Sequence, residues 1–380
     1  MIPDAALPPG AQKFNLVQAL RGIAATWVMF HHAFWGRHID HLYAALPPLV
    51  AHYLFLRGFY GVEIFFVLSG FIIAHSVRGA EVTGRYIRDF AIRRSLRLDP
   101  PYCASIAFVL AMAAISAHVV HKPYAFPSVG NILAHLTYTQ VIFGYPYDIS
   151  GVFWTLTYKV QFYLVLVIAI MLFQKVARRA GAVTAALVAF GPLYVIAWVW
   201  GVFIQGDNSE GFFYINWYGF FVGALGYWAA SKRSVLVPFW ALAIGLFFFG
   251  RDITQVCALT AVLLHVTLKN GSIVRALSSR PLQFLGTISY SLYLIHTQVQ
   301  GASMYLLYKF IPRTVVGETL ALICSALICF AAAALFWWAI ERPSHYLAKR
   351  FGGRTRRRDE TSVSPHASAD IALSGAAPLP

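Results

Sequence analysis

The sequence predicts an all-α polytopic membrane protein of about ten transmembrane helices, with both termini in the cytoplasm. Three observations lead there. Hydrophobic residues make up 59% of the 380 and charged residues only 12%, against about 25% charged in a soluble domain. The apolar residues gather into runs of roughly twenty, the length that crosses a bilayer as a helix. The cations sit in alternate loops between those runs, where the positive-inside rule puts them.

The runs are Phe14–Trp35, Leu54–Val77, Pro101–Val120, Val152–Phe173, Gly181–Ile204, Gly211–Ala229, Val235–Gly250, Ile253–Leu268, Phe284–Lys309 and Gly317–Ile340. The seventh and eighth are short, and only Arg251 and Asp252 divide them. Basic residues fill Arg78–Arg97 and follow the fourth run (Lys175, Arg178, Arg179), the sixth (Lys232, Arg233) and the eighth (Lys269, Arg275, Arg280). Ten crossings with both ends inside place every one of these clusters on the cytoplasmic side; the loop with Asp207 and Glu210 falls outside.

The chain divides into a cytoplasmic segment, 1–13, a transmembrane domain, 14–345, and a basic cytoplasmic tail, 346–380, which beyond Phe351 is Arg-rich, then Ser/Ala/Pro-rich, and expected to be disordered. His121–Ser150 is a long extracytoplasmic loop whose NILAHLTYTQVIFG core reads as a re-entrant or interfacial helix. No cleavable signal peptide is expected, because the first apolar run is long enough to span. No internal repeat of the transporter kind is visible. The net charge of +15 does not imply nucleic acid, since its cations are loop residues. Cys103, Cys257, Cys324 and Cys329 lie in apolar stretches without metal-ligand spacing and read as small core residues, with no metal site.

One stretch departs from plain membrane chemistry. In LRGIAATWVMFHH, Arg21 and His32 bound an apolar run, and ionisable residues at membrane depth are functional candidates by default. Eleven residues is close to a whole number of helical turns, so both lie on one face, roughly 16 Å apart. His31 points about a quarter-turn away.

Further motifs stand in order: GVEIFFVLSGFIIAHS (Gly61–Ser76), IRRSLRLDPPY (Ile92–Tyr102), WTLTYKVQFYL (Trp154–Leu164), LGTISYSLYLIH (Leu285–His296) and ERP (Glu341–Pro343). Together with the Arg–ten residues–His helix, they resemble the acyltransferase-3 family of membrane proteins over residues 14–345. The resemblance extends to that family's acid-FFxxSGF second helix, its cytoplasmic R-x-x-R pair (here Arg94 and Arg97), its W-S-L-S-x-E-x-Q-F-Y segment, its G-x-I-S-Y-x-x-Y-L-x-H block and its closing ERP. It implies a stand-alone acyltransferase of the bacterial inner membrane. The acyl group, commonly acetyl from cytoplasmic acetyl-CoA, would pass to a hydroxyl of an exopolysaccharide, O-antigen or lipid-linked sugar.

Such chemistry needs a base, a clamp for the donor's phosphates and shielding from water. His32 is the candidate base or acyl relay, since imidazole titrates near neutrality; the plainer reading is a buried histidine bonded to a carbonyl. His31 is expected to pack against or tune it. Arg21 would stabilise developing negative charge or hold a carboxylate, or else snorkel to the surface. Arg94 and Arg97, three apart on a helix, point the same way and would grip phosphates bidentately, with Arg93 beside them; the bland alternative is a topology anchor. Glu63, deep in the second run, would orient a histidine or pair with Arg21, Arg57 or Lys159. Ser69 and Gly70 read as a helix-packing pair. Tyr290 and His296 are lesser candidates for lining a cavity.

Lys159 stands where the family has a glutamate, which reverses the local charge. Three readings follow: an altered or inactivated form, a lysine compensated by Glu63 or another acid, or a structural position only. On the first, Lys159→Glu raises transfer. Rival functions are a transporter or flippase of a lipid-linked or acylated substrate and an acylase of a small molecule such as a macrolide. The lack of repeats speaks against transport, and the R-x-x-R favours a CoA user.

Overall fold

The computed structural model describes residues 14–121, 123–145, 147–204 and 211–351. The expected N-terminal segment, the acidic loop with Asp207 and Glu210, and the tail from 352 lie outside them. The described residues are helical throughout, with no strand among them. The order is α1 (Asn15–Trp35), α2 (Asp40–Ala45), α3 (Pro48–Leu54), α4 (Gly61–Ser76), α5 (Gly84–Val119), α6 (Val129–Leu136), α7 (Trp154–Trp198), α8 (Trp217–Ala229), α9 (Leu236–Phe248), α10 (Asp252–Lys269), α11 (Arg280–Leu307) and α12 (Val315–Phe336). Each apolar run of the sequence falls on one of these. Five continuous stretches are long and apolar enough to cross a membrane: Pro48–Ser76, Gly84–Val119, Trp154–Phe203, Asp252–Lys269 and Val315–Phe351. Large apolar side chains face outward on the long helices, among them Ile168, Leu187, Leu327 and Leu335, as a lipid-embedded surface requires.

The core is built on two close seams. Helices α1 and α11 run parallel: Gln18 Nε2 donates to Thr287 Oγ1 at 3.2 Å near one end, and His32 meets His296 at 3.2 Å further along. The seam is tight because a Cβ on Gly286 would stand 2.0 Å from the Gln18 carbonyl oxygen. Helices α4 and α8 are also parallel, Gly219 lying beside Glu63 and Tyr227 meeting His75 Nδ1 at 3.1 Å; a Cβ on Gly70 would fall 1.8 Å from the Phe220 oxygen, one on Gly223 2.1 Å from that of Val67. Lipid offers no hydrophobic drive for helices to associate, so close backbone approach at small residues carries much of the packing. Gly70 therefore packs as expected. Ser69 instead faces the central cavity, with its hydroxyl donated to the Phe65 carbonyl at 2.7 Å.

Three local features bear on the sequence reading. The fourth and fifth runs both lie in α7, which is broken into two helices at Gly181, the residue that opens the fifth run, where φ 80° and ψ 167° suit only glycine. The third helix opens at a Thr83 cap, not at the proline. It carries the arginine motif and passes through Pro100 and Pro101, where two backbone donors are lost. The loop before α7 contains helix α6 and folds inward: Tyr138 donates to Asp99 Oδ1 at 2.8 Å and stacks on Tyr102 at 4.8 Å. Cys257 and Cys329 are buried as expected, but Cys103 and Cys324 are exposed on the apolar surface.

Candidate active site

A cavity of about 120 Å³, room for several water molecules, lies among α1, α4, α5, α7, α11 and the end of α12. Four cations line it: Arg21, Arg94, Arg97 and Lys159. The R-x-x-R spacing and the Arg of α1 thus converge on one space. Arg94 lies over the Phe90 and Tyr163 rings, at 5.4 and 5.2 Å. Lys159 Nζ sits 5.0 Å over Phe65 and 5.8 Å over Tyr293. Such cation–π contacts position a charge without neutralising it. Among the described residues, no carboxylate is within ion-pair distance of any of the four.

The acid in the lining is Glu341. It stands in a π-helical turn, Trp337–Glu341, that closes α12; such turns re-aim a side chain inside an otherwise regular helix. Its Oε2 accepts from Ser291 Oγ at 2.6 Å. His345 Nε2 is 3.5 Å from the other oxygen and accepts from Arg97 Nε at 3.1 Å. Tyr290 lines the same space and donates to the Leu98 carbonyl at 3.1 Å.

His32 stands apart from this cavity. Its Nδ1 is 2.8 Å from the Val28 carbonyl and 3.2 Å from His296 Nε2. His296, fully buried, turns its own Nδ1 to the carbonyls of Leu292 and Tyr293, at 3.0 and 2.9 Å. Only an N–H can face a carbonyl, so both Nδ1 atoms carry the proton in the neutral rings. His296 Nε2 then accepts from His32, and His32 Nε2 keeps a lone pair. His31 packs beside the pair, with Nδ1 3.1 Å from the Phe55 carbonyl and its ring stacked on Trp35.

Several expectations are corrected here. His296 does not line the cavity; it braces His32. Arg93 turns out of the cavity and lies over Tyr86, 5.9 Å away, because the residue before Arg94 points about 100° round the helix. Glu63 orients no histidine and pairs with none of Arg21, Arg57 or Lys159. Its Oε2 accepts from the buried Cys257 thiol at 3.2 Å, and Arg57 pairs with Asp252 at 3.0 Å. Lys159 is accordingly not compensated by Glu63. Sequence reasoning gave Glu341 no role, although it stands in the ERP motif, and missed His345, Tyr138 and Tyr163. For Glu341 a signal existed, an acid at the edge of an apolar run in a chain with 15 acidic residues.

A family profile described as an acyltransferase domain, acyltransferase-3, matches residues 15–340. The chain belongs to this family. It is a membrane-bound acyltransferase. Nodulation protein 10 of Rhizobium leguminosarum bv. viciae is 27% identical over 367 residues, 87% of this chain and 93% of that protein. The putative membrane-bound transacylase BcsY of Komagataeibacter xylinus is 25% identical over 336 residues, 81% of this chain and 78% of its own. The peptidoglycan O-acetyltransferase OatA of Listeria monocytogenes is 24% identical over 286 residues, 63% of this chain and 44% of its own. No solved structure matches the chain. Among the described residues, no cluster of histidine, cysteine and acidic side chains could hold a metal ion.

Proposed function

We propose that this acyltransferase-3 protein takes an acyl group, acetyl in the form its family implies, from acyl-CoA at the cytoplasmic face of the bacterial inner membrane. It delivers the group to a hydroxyl of an exopolysaccharide, O-antigen or lipid-linked sugar on the other side. Ten spans with both termini inside fit the helix directions. First and ninth spans (α1, α11) are parallel, as are second and sixth (α4, α8), while α12 opposes α11 through Ser303–Ser325 and Ser291–Glu341.

One observation carries the reading: a single helix, α1, presents a cation from the cavity and, roughly 16 Å on, a histidine with a free Nε2. A CoA thioester is built to that plan, with phosphates at one end of a long arm and the reacting carbon at the other. The phosphates seat among Arg94, Arg97 and Arg21, and the arm follows α1 to His32. There Nε2 takes the proton of the acceptor hydroxyl as its oxygen attacks the thioester carbonyl. The C–S bond breaks, the imidazolium returns the proton to the leaving thiolate, and free CoA and an ester result. The same Nε2 serves if the acyl group rests first on the imidazole, and His296 fixes the ring in either case.

The test is the O-acyl ester content of surface glycan in cells expressing the native chain or His32→Ala at equal membrane abundance. Esters present with the native chain and lost with the variant are expected. Esters unchanged by the variant would remove His32 from the chemistry, and a transporter would give none from the chain in pure lipid supplied with acyl-CoA and glycan.

A further inference from the structure

The cavity is richer in cations than a topology anchor needs. Four cations face it against one carboxylate, and that carboxylate already accepts from Ser291. Unpaired charges at membrane depth are costly, so this is a receptor shaped for a polyanion. The cations also have an order. Arg97 is tied to His345, on the segment that follows α12. Arg94 is level with Tyr163 on α7. Lys159 is one helical turn from Tyr163 on the same helix, about 6 Å along its axis. It touches the Tyr293 ring, which lies 6.2 Å from that of His296, which in turn meets His32. Of the four cavity cations, Lys159 is thus the one linked to the histidine pair through Tyr293.

Coenzyme A carries its phosphates in an order too. One is on the ribose, far from the thioester; two form the diphosphate, and the second of these is joined to the pantetheine arm. We propose that Lys159 is a donor-binding residue, whose ammonium holds the arm-side phosphate of the diphosphate while the arginines hold the others. This rests on the reading of the cavity as the donor seat and assigns it an inner end. A lysine suits that place, because a compact point charge on a flexible stem serves a single phosphate, whereas the fork of an arginine serves paired oxygens. The Phe65 and Tyr293 rings lie against the ammonium and fix its place in the lining. Lys159 is on this view a working part of the seat and no mark of a silenced enzyme.

The full chain in lipid nanodiscs would be titrated with coenzyme A, with 3′-dephospho-coenzyme A and with 4′-phosphopantetheine, beside Lys159→Met and Lys159→Arg. The arm-side phosphate is present in all three ligands. Lys159→Met is expected to weaken each by a similar factor, about tenfold for one charge-assisted contact, and Lys159→Arg to recover part of it. If Lys159→Met does not yield folded protein, Lys159→Gln takes its place. Equal affinities for native and variant overturn the proposal while leaving the donor seat intact. A loss seen only with the 3′-phosphate present overturns it too, by moving Lys159 to the outer end. Absence of coenzyme A binding to the native chain would bring down the donor seat itself, and this inference with it.

Discussion

Two regions on one helix are built on opposite principles. Around Arg21, four cations line one cavity, and aromatic rings hold Arg94 and Lys159 and a histidine holds Arg97 in place of acids. Around His32, the imidazoles are engaged by carbonyls and by each other, save for one nitrogen. Among the described residues, the first region presents cations without ion-pair partners; the second offers a single lone pair. That contrast separates binding from chemistry. On the proposed function, the group proposed to seat a polyanion is left unneutralised, whereas the group proposed to move a proton has its tautomer and orientation fixed beforehand.

The strongest way to break the comparison is to part the helices that carry both regions. Gly286→Leu puts a side chain where even a Cβ meets the Gln18 carbonyl at 2.0 Å. It is expected to abolish recovery of monodisperse protein after detergent extraction, and with it both donor binding and transfer. Native-like recovery would show that the seam is looser than its geometry.

Next in size is His32→Ala. Loss of a general base costs about 10²- to 10⁴-fold in rate, and because His32 lies outside the cavity the affinity for coenzyme A should stay unchanged. Arg94→Ala is expected to do the reverse, raising KM for the donor by about tenfold or more per charged contact removed with a smaller effect on kcat. If either variant moved both parameters equally, the two regions would be one site. His296→Ala comes below these. By analogy with other partners that orient a functional histidine, about 10- to 100-fold of rate is at stake, and His296→Gln, which retains a polar group able to face His32, should recover part of it.

Much of this arrangement is legible in the sequence. The spacing of Arg21 and His32 on one helical face and the pairing of Arg94 with Arg97 follow from helical periodicity, which needs no tertiary knowledge. Where the reading went astray, the cause was an inter-helix register that periodicity does not contain. His296 has the same local signature whether it lines a cavity or braces another histidine; only the α1–α11 seam decides. Arg93 is excluded by the 100° step of its own helix, so that placement was available from the start. The π-turn that aims Glu341 inward, and the loop that brings Tyr138 to Asp99, depend on backbone irregularities with no periodic signal.

Glu63→Gln gives the smallest effect and the sharpest test of the boundaries. An acid so deep in a membrane helix is a default suspect for chemistry, and the second-helix motif that contains it made the suspicion stronger. Its carboxylate nevertheless accepts from the Cys257 thiol at 3.2 Å, on the α10 side of α4. It lines neither the cation cavity nor the histidine pair. Glutamine keeps the length, the shape and an acceptor oxygen for the same thiol. Transfer rate and donor affinity should therefore both stay near the native values, with any change confined to thermal stability. A fall in rate as deep as that of His32→Ala, at unchanged stability, would mean that Glu63 reaches the reacting atoms in a state with ligand bound. The site would then be three-part, and the division between a seat for charge and a fixed base would have to be redrawn around α4.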